Sequence, residues 1–176
     1  LHGQSKDALS KNRAGAWEYD VMYPAYKCNM TNINAAIGIA QLDRYDGLLK
    51  RRRELNENYR NALEKLGLKV MHHYTDEMTS TGHLYLVRIP GATIDDRNAV
   101  IQDMAEREIA CNVHYKPLPM MTAYKNLGFD IKDYPNAYHQ YENLISLPVF
   151  STMTDEQNEY VIENFVDSLK KRGLIK

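Results

Sequence analysis

No stretch of this sequence approaches the roughly 18 consecutive apolar residues of a membrane-spanning helix. The polar start LHGQSKDALSKNRAG has no signal-peptide core. Cysteine is scarce: Cys28 and Cys111 stand far apart with no C-x-x-C spacing. That argues for a reducing, cytoplasmic setting in which each thiol is a small buried side chain. Net charge is nearly absent, −1 over 176 residues, which argues against a dedicated nucleic-acid surface. Glycine-rich phosphate loops of the G-x-G-x-x-G or G-x-x-x-x-G-K type are missing, as is the G-x-S-x-G elbow of a serine nucleophile. No internal repeat or low-complexity tract is present, and no initiator methionine, as expected of a piece of a longer polypeptide. A chain of this length makes one domain, or one and an appendage. It can bury roughly 70% of the surface its unfolded form exposes, so its core needs neither metal nor disulfide.

What is present is concentrated between Tyr23 and Gly67. Pro24 pushes Tyr23 towards an extended conformation, so Tyr23 to Met30 is expected to reach the first helix as irregular backbone. Thr31 suits the N-cap, its hydroxyl accepting from a free first-turn amide. From Asn32 to about Arg44 the apolar positions Ile33, Ala35, Ala36, Ile37, Ile39, Ala40 and Leu42 cover most of the circumference, which predicts a buried helix. Gly38 inside it costs about 1 kcal/mol against alanine, and a close backbone neighbour would account for it. Asp46-Gly47 marks a break or the start of a second helix. That helix carries a stripe at Leu48, Arg52, Leu55, Tyr59, Leu63 and Leu66, closed by Gly67 as C-cap. In residues 1–22, Trp17 and Tyr19 are candidate anchors.

Downstream, LKVMHH (68–73), HLYLVRI (83–89) and IACNVHY (109–115) alternate as strands should. A polar loop spans 75–82 and an amphipathic helix 95–107. Short helices fit 120–127 and 135–144, with 144–148 extended. Thr154 and Gln157 form a capping box that opens a terminal helix. Helices with a three-stranded sheet define an α+β domain, one that supports or covers a site more than it builds one alone.

Two stretches carry candidate chemistry. Lys27 and Asn29 lie just before the Thr31 cap. An ammonium, a carboxamide donor and free helix-start amides together suit an anion such as phosphate. The plainer reading is that Asn29 only bonds local backbone. At the end of the third expected strand, His114, Tyr115 and Lys116 run into Pro117-Leu118-Pro119, forming either a rigid polar lip or a plain sheet edge. Alternation would send His114 and Lys116 to one face and Tyr115 to the other. His72, His73, His83 and His114 sit in or beside strands, but no Cys/His ligand spacing supports a metal. The basic run Lys50 to Arg53 is interleaved downstream with Glu54, Glu57 and Glu64, as on a solvated helix face with some ion pairing.

The run Tyr26-Lys27-Cys28-Asn29-Met30-Thr31-Asn32-Ile33-Asn34-Ala35-Ala36-Ile37-Gly38, then Gln41-Leu42 and Arg51-Arg52-Arg53, resembles the DegT/DnrJ/EryC1/StrS family of pyridoxal-phosphate-dependent sugar aminotransferases. Further matches are His83-Leu84-Tyr85, Glu106-Arg107 to Ile109, Val113-His114-Tyr115 with Pro117-Leu118, Leu147-Pro148, and Met153 to Gln157. Ala25, Cys28 and Pro119 depart from the family's usual glycine, aromatic and histidine.

The resemblance implies the C-terminal small α+β domain of a fold-type I aminotransferase, a small sheet packed with helices. Residues 1–30 would link from a large domain that binds pyridoxal 5'-phosphate, and 31–176 would form the C-terminal domain. It implies a homodimer with shared active sites, a sugar-nucleotide substrate, and no nucleic-acid or membrane partner. Asn29, with Lys27 near it, corresponds to the residue that reaches the cofactor phosphate of the neighbouring subunit. His83, His114, Tyr115 and Lys116 become substrate-side candidates. The cofactor-bearing lysine of the family has no counterpart here, since Lys6, Lys11 and Lys27 do not sit in its motif. The chain alone is therefore expected to be inactive. The implied reaction of the parent protein moves an amino group, from glutamate, to a keto-sugar nucleotide in surface polysaccharide or antigen biosynthesis.

Overall fold

The structure, a computed structural model, describes residues 21–176; the expected anchors Trp17 and Tyr19 lie outside them. It divides into two compact units between Tyr45 and Asp46.

The first unit enters α1 (Asn32–Leu63) from an irregular Tyr23–Met30 segment. Thr31 caps the helix as expected: the Asn34 amide donates to its Oγ1 at 3.2 Å, and the Ala35 amide to its carbonyl at 2.9 Å. Two expectations fail here. There is no break at Asp46-Gly47, because α1 runs through both residues as one helix. A single exposed helical glycine costs about 1 kcal/mol, too little to stop a helix propagating from both sides. Nor is the apolar girdle buried in this chain: Ile33 is 74% exposed and Leu42 70%. The space a side chain at Gly38 would fill has no neighbour within 4 Å. The apolar pattern is a demand for cover, and among the described residues only Ala35 of these positions is partly buried. Cys28, expected buried, is exposed as well.

The second unit holds the core. Leu55, Tyr59 and Leu63 on the rest of α1 are fully buried. A 3-10 turn (Glu64–Leu66) follows, and Gly67 ends it at φ +80°, the left-handed conformation foreseen for a C-cap. Strands β1 (Lys69–Val70), β2 (Tyr85–Arg88) and β3 (Leu144–Leu147) form an antiparallel sheet in the order β1-β2-β3. Val87 pairs with Val70 on one side and Ile145 on the other. Side chains at paired positions share a face, so Tyr85, Val87, Ile145 and Leu147 all point into the core.

The third strand is thus 144–147, not 109–115. All four residues of LISL are buried. The segment 109–115 is less apolar and contributes only a single bridge, Asn112 to Ser146, at β3's other edge. The mostly apolar LISL, buried along its length, took the place that alternation alone assigned to IACNVHY.

Helix α2 (Ile94–Glu106) is opened by a Thr93–Asp96 capping box. Short α3 (Thr122–Lys125) and α4 (Pro135–Tyr141) precede β3. The terminal α5 (Asp155–Lys171) starts at the expected Thr154–Gln157 box and sends Val161, Phe165 and Leu169 into the core. Arg97 is 2% exposed on α2, lies over the Tyr141 ring, and donates from Nη1 to the carbonyls of Tyr141 (3.3 Å) and Leu144 (3.4 Å). It ties the end of α4 to the start of β3, satisfying at Tyr141 a carbonyl that the helix leaves free. Among the described residues no helix is long and apolar enough to cross a membrane.

The basic run does more than face solvent. Arg51 donates to the Met153 carbonyl from Nε (3.1 Å) and Nη2 (2.6 Å) and pairs with Asp155 at 2.8 Å, holding the entrance to α5. Arg52 donates to the His83 carbonyl, and the Arg53 guanidinium lies 4.6 Å from the centre of the Tyr74 ring. Arg51 thus holds the α5 entrance against α1, while Arg52 and Arg53 hold two points of the segment between β1 and β2.

Candidate functional site

The Lys27–Thr31 junction has the local structure that the sequence suggested. Lys27 and Asn29 are both exposed in the irregular segment, and α1 begins three residues after Asn29. The first turn of α1 contains no acidic residue, and no aspartate or glutamate occurs between Asp20 and Asp43. First-turn amides carry the positive end of the helix dipole. An ammonium at Lys27 and a carboxamide at Asn29 shortly precede those amides in sequence, and residues 21–42 contain no acidic side chain.

The second candidate region belongs to the other unit. Its foundation is the bridge between Asn112 and Ser146, in which the backbones exchange hydrogen bonds of 3.1 and 2.7 Å. Beyond it the chain leaves the sheet, so the expected alternation of His114, Tyr115 and Lys116 between two faces does not occur. His114 is half-buried and its Nδ1 lies 2.8 Å from Ser146 Oγ. The Tyr115 ring meets the His114 ring edge-on, centroids 4.7 Å apart, and is itself 73% exposed. Lys116 is exposed. Three of the four substrate-side candidates therefore make one lip, anchored through His114 and presenting an aromatic edge and an ammonium to solvent.

His83 is the fourth. Its ring is exposed just before β2, and its backbone carbonyl accepts from Arg52 Nη1 at 3.4 Å. No hydrogen bond or ring contact joins it to the lip among the described residues.

The other histidines have structural duties. His72 faces Glu64 at 3.1 Å. His73 is buried with Nδ1 3.0 Å from Ser80 Oγ, and that burial lowers its pKa and favours the neutral ring. The described residues hold no cluster of three or more His, Cys, Asp or Glu able to bind a metal ion. Burial pushes the Cys111 thiol up to about 12, which leaves it no nucleophile.

Asn112 and Ser146 were missed as site residues. The available signal was a serine interrupting the otherwise apolar LISL, a polar group that must find a partner once buried.

Among the described residues the chain has five α-helices and a three-stranded antiparallel sheet, which match part of known aminotransferase structures. The chain belongs to the DegT/DnrJ/EryC1/StrS aminotransferase family, whose sequence profile matches residues 1–166. It is similar to the spore coat polysaccharide biosynthesis protein SpsC of Bacillus subtilis (strain 168), at 33% identity over 97% of this chain and 45% of that protein. Among solved structures it resembles the putative sugar aminotransferase Spr1654 from Streptococcus pneumoniae in its PMP-form. The TM-score is 0.79 at 49% identity, over 97% of this chain and 43% of that one. The Spr1654 structure in its PLP-form matches at a TM-score of 0.78 and 46% identity, over 97% and 41% of the two chains. The chain thus spans less than half the length of the relatives it matches.

Proposed function

We propose that this chain is the C-terminal portion of a pyridoxal-phosphate-dependent aminotransferase. The full protein transfers an amino group, from glutamate, to a keto-sugar nucleotide for surface polysaccharide or antigen synthesis in the cytoplasm. The observation that carries this reading is the first unit: a helix that is apolar nearly all round and exposed, preceded by an acid-free arm bearing Lys27 and Asn29. An apolar surface of this kind marks an interaction site. Its fitting partner is a large cofactor-binding domain, with the arm reaching the cofactor site of a second subunit in a homodimer.

Pyridoxal phosphate, when bound, supplies the electron sink for the transfer. This chain's residues have the supporting tasks. Asn29 would hold the phosphate through its carboxamide N–H, and Lys27 would add positive charge beside it. His114, Tyr115 and Lys116 line the substrate side, where the Tyr115 edge offers apolar contact and the Lys116 ammonium suits a diphosphate. His83 completes the substrate-side set. The names of the relatives, a spore coat polysaccharide biosynthesis protein and a putative sugar aminotransferase, support the substrate class.

Borohydride reduction of the 176-residue chain with pyridoxal phosphate, followed by peptide mapping, tests the division of labour. No single lysine is expected to be labelled selectively. Stoichiometric labelling of one lysine would mean that the chain carries its own cofactor attachment point, and the reading as a supporting portion would fall.

A further inference from the structure

The hydrogen bonds around His114 also determine which of its ring nitrogens carries the proton. Val113 donates its backbone N–H to Asn112 Oδ1 at 2.7 Å. That bond orients the Asn112 carboxamide, because of its two ends only the carbonyl oxygen accepts. The amide nitrogen Nδ2 is then the atom facing His114 Nε2, 3.5 Å away. Nδ2 can only donate, so the ring nitrogen opposite it must present a lone pair. A neutral imidazole has one N–H; with Nε2 bare, the proton sits on Nδ1, which donates to Ser146 Oγ at 2.8 Å.

The two partners are well placed to hold this state. Ser146 is 4% exposed in the sheet. Asn112 is bonded to it through both backbone groups, so the group on Nδ1 and the group on Nε2 sit on one bridge and move together.

We propose that Asn112 and Ser146 are positioning residues that lock His114 in the Nδ1–H tautomer, so that the lip presents Nε2 as an acceptor. At 3.5 Å the Asn112 amide engages that lone pair weakly, leaving it open to a stronger donor. A ligand at the lip must then bring a hydroxyl or ammonium hydrogen to this position, and one offering only a carbonyl or phosphate oxygen would be refused there. The identity of that ligand as a sugar rests on the function proposed above; the tautomer does not.

Long-range proton–nitrogen NMR of the histidine-labelled 176-residue chain at alkaline pH tests this directly. His114 is expected to show a protonated, pyrrole-type Nδ1 and an unprotonated, pyridine-type Nε2. Asn112→Asp replaces the donor with an acceptor and is expected to invert the populations to Nε2–H. Ser146→Ala, which removes the acceptor from Nδ1–H, should shift them in the same direction. A purely structural role for either residue would not move this signature. An Nε2–H ring in the unaltered chain overturns the proposal without recourse to any variant. So does a folded Asn112→Asp chain that keeps the original tautomer. Neither result bears on whether the parent protein is an aminotransferase.

Discussion

Gly82 offers the sharpest test of the packing. It sits at φ +63°, where an added Cβ would lie 2.3 Å from Asn56 Nδ2 and 3.0 Å from the Tyr74 hydroxyl. Tyr74 can give way, because its hydroxyl is the far end of a flexible side chain. Asn56 cannot move so easily: it is 2% exposed and its Nδ2 donates to the Gly82 carbonyl at 3.2 Å. Gly82→Ala therefore carries two penalties. The left-handed backbone costs a non-glycine residue about 1 kcal/mol or somewhat more. Displacing a buried amide from its hydrogen bond costs a further ~1–3 kcal/mol. The expected loss is about 2–4 kcal/mol, a large share of a stability that for such domains is roughly 5–15 kcal/mol. Gly67 is the control, since it has φ +80° with nothing within 4 Å of the added Cβ. Gly67→Ala should cost only the backbone part, about 1 kcal/mol. Urea unfolding followed by far-UV circular dichroism gives both values. In an Asn56→Ala background the obstruction is gone, and Gly82→Ala should fall to the cost seen at Gly67. Equal losses at the two glycines in the unaltered background would refute the steric argument and leave only the backbone.

Three further outcomes are expected. Asp103 accepts two hydrogen bonds from the Arg172 guanidinium (2.6 and 2.8 Å) and one from Ser168 (2.6 Å), and Arg172 first, then Ser168, holds its pKa near about 2. A folded-state value below the ordinary ~3.9 means that the stabilisation is complete above about pH 4 and disappears as pH falls through about 2. Asp103→Asn should flatten that acid limb in a pH series of urea midpoints, and an unchanged limb would deny the linkage. Arg97→Met removes the donor to the Tyr141 and Leu144 carbonyls and should cost about 2–3 kcal/mol, while Arg97→Lys, without the planar fork over Tyr141, should recover only part of it; a neutral Met variant in thermal unfolding would contradict the tie between α4 and β3. In the full-length enzyme, Asn29→Ala should weaken retention of pyridoxal phosphate about tenfold, as loss of one hydrogen bond to a charged group implies, and equilibrium dialysis showing unchanged affinity would remove the phosphate role.

Where one physical signal dominated, the fold could be read from the sequence. Thr31 and the Thr154–Gln157 box opened their helices because side-chain capping is a local contest decided within four residues. Gly67 ended its turn for an equally local reason, the need for a left-handed residue. The third strand could not be read in the same way. IACNVHY alternates better than LISL, but β3 lies beside β2 and is buried along its whole length. A strand covered on both faces loses the alternation by which an exposed one is recognised. The Lys50–Arg53 run was legible only in its ion pairing and exposed ends, for a related reason. Arg51 reaches Met153 and Asp155, about a hundred positions away in the chain, and nothing near Arg51 in sequence announces those partners.

Of the candidate lip, the residue types were legible and their arrangement was not. His114, Tyr115 and Lys116 could be picked out as a polar lip, but the groups that make His114 directional are Asn112 and Ser146. One looked like an ordinary strand residue and the other like an interruption in an apolar run. The first half of α1 teaches the reverse lesson. Its pattern demanded burial at Ile33, Ile37, Ile39 and Leu42, and every one of those side chains is exposed. Burying even one such side chain is worth about 1.5–3 kcal/mol, so a surface of this composition is costly to leave in water. The apolar pattern therefore predicted a burial that the described residues do not provide. Gly38 belongs to the same argument. It weakens an exposed helix by about 1 kcal/mol relative to alanine, yet an added Cβ there would meet nothing. A glycine that serves no purpose in the exposed helix is best explained by a close approach made only when the helix is covered. Gly38→Ala should then raise the helicity of this chain alone while impairing assembly of the full-length enzyme.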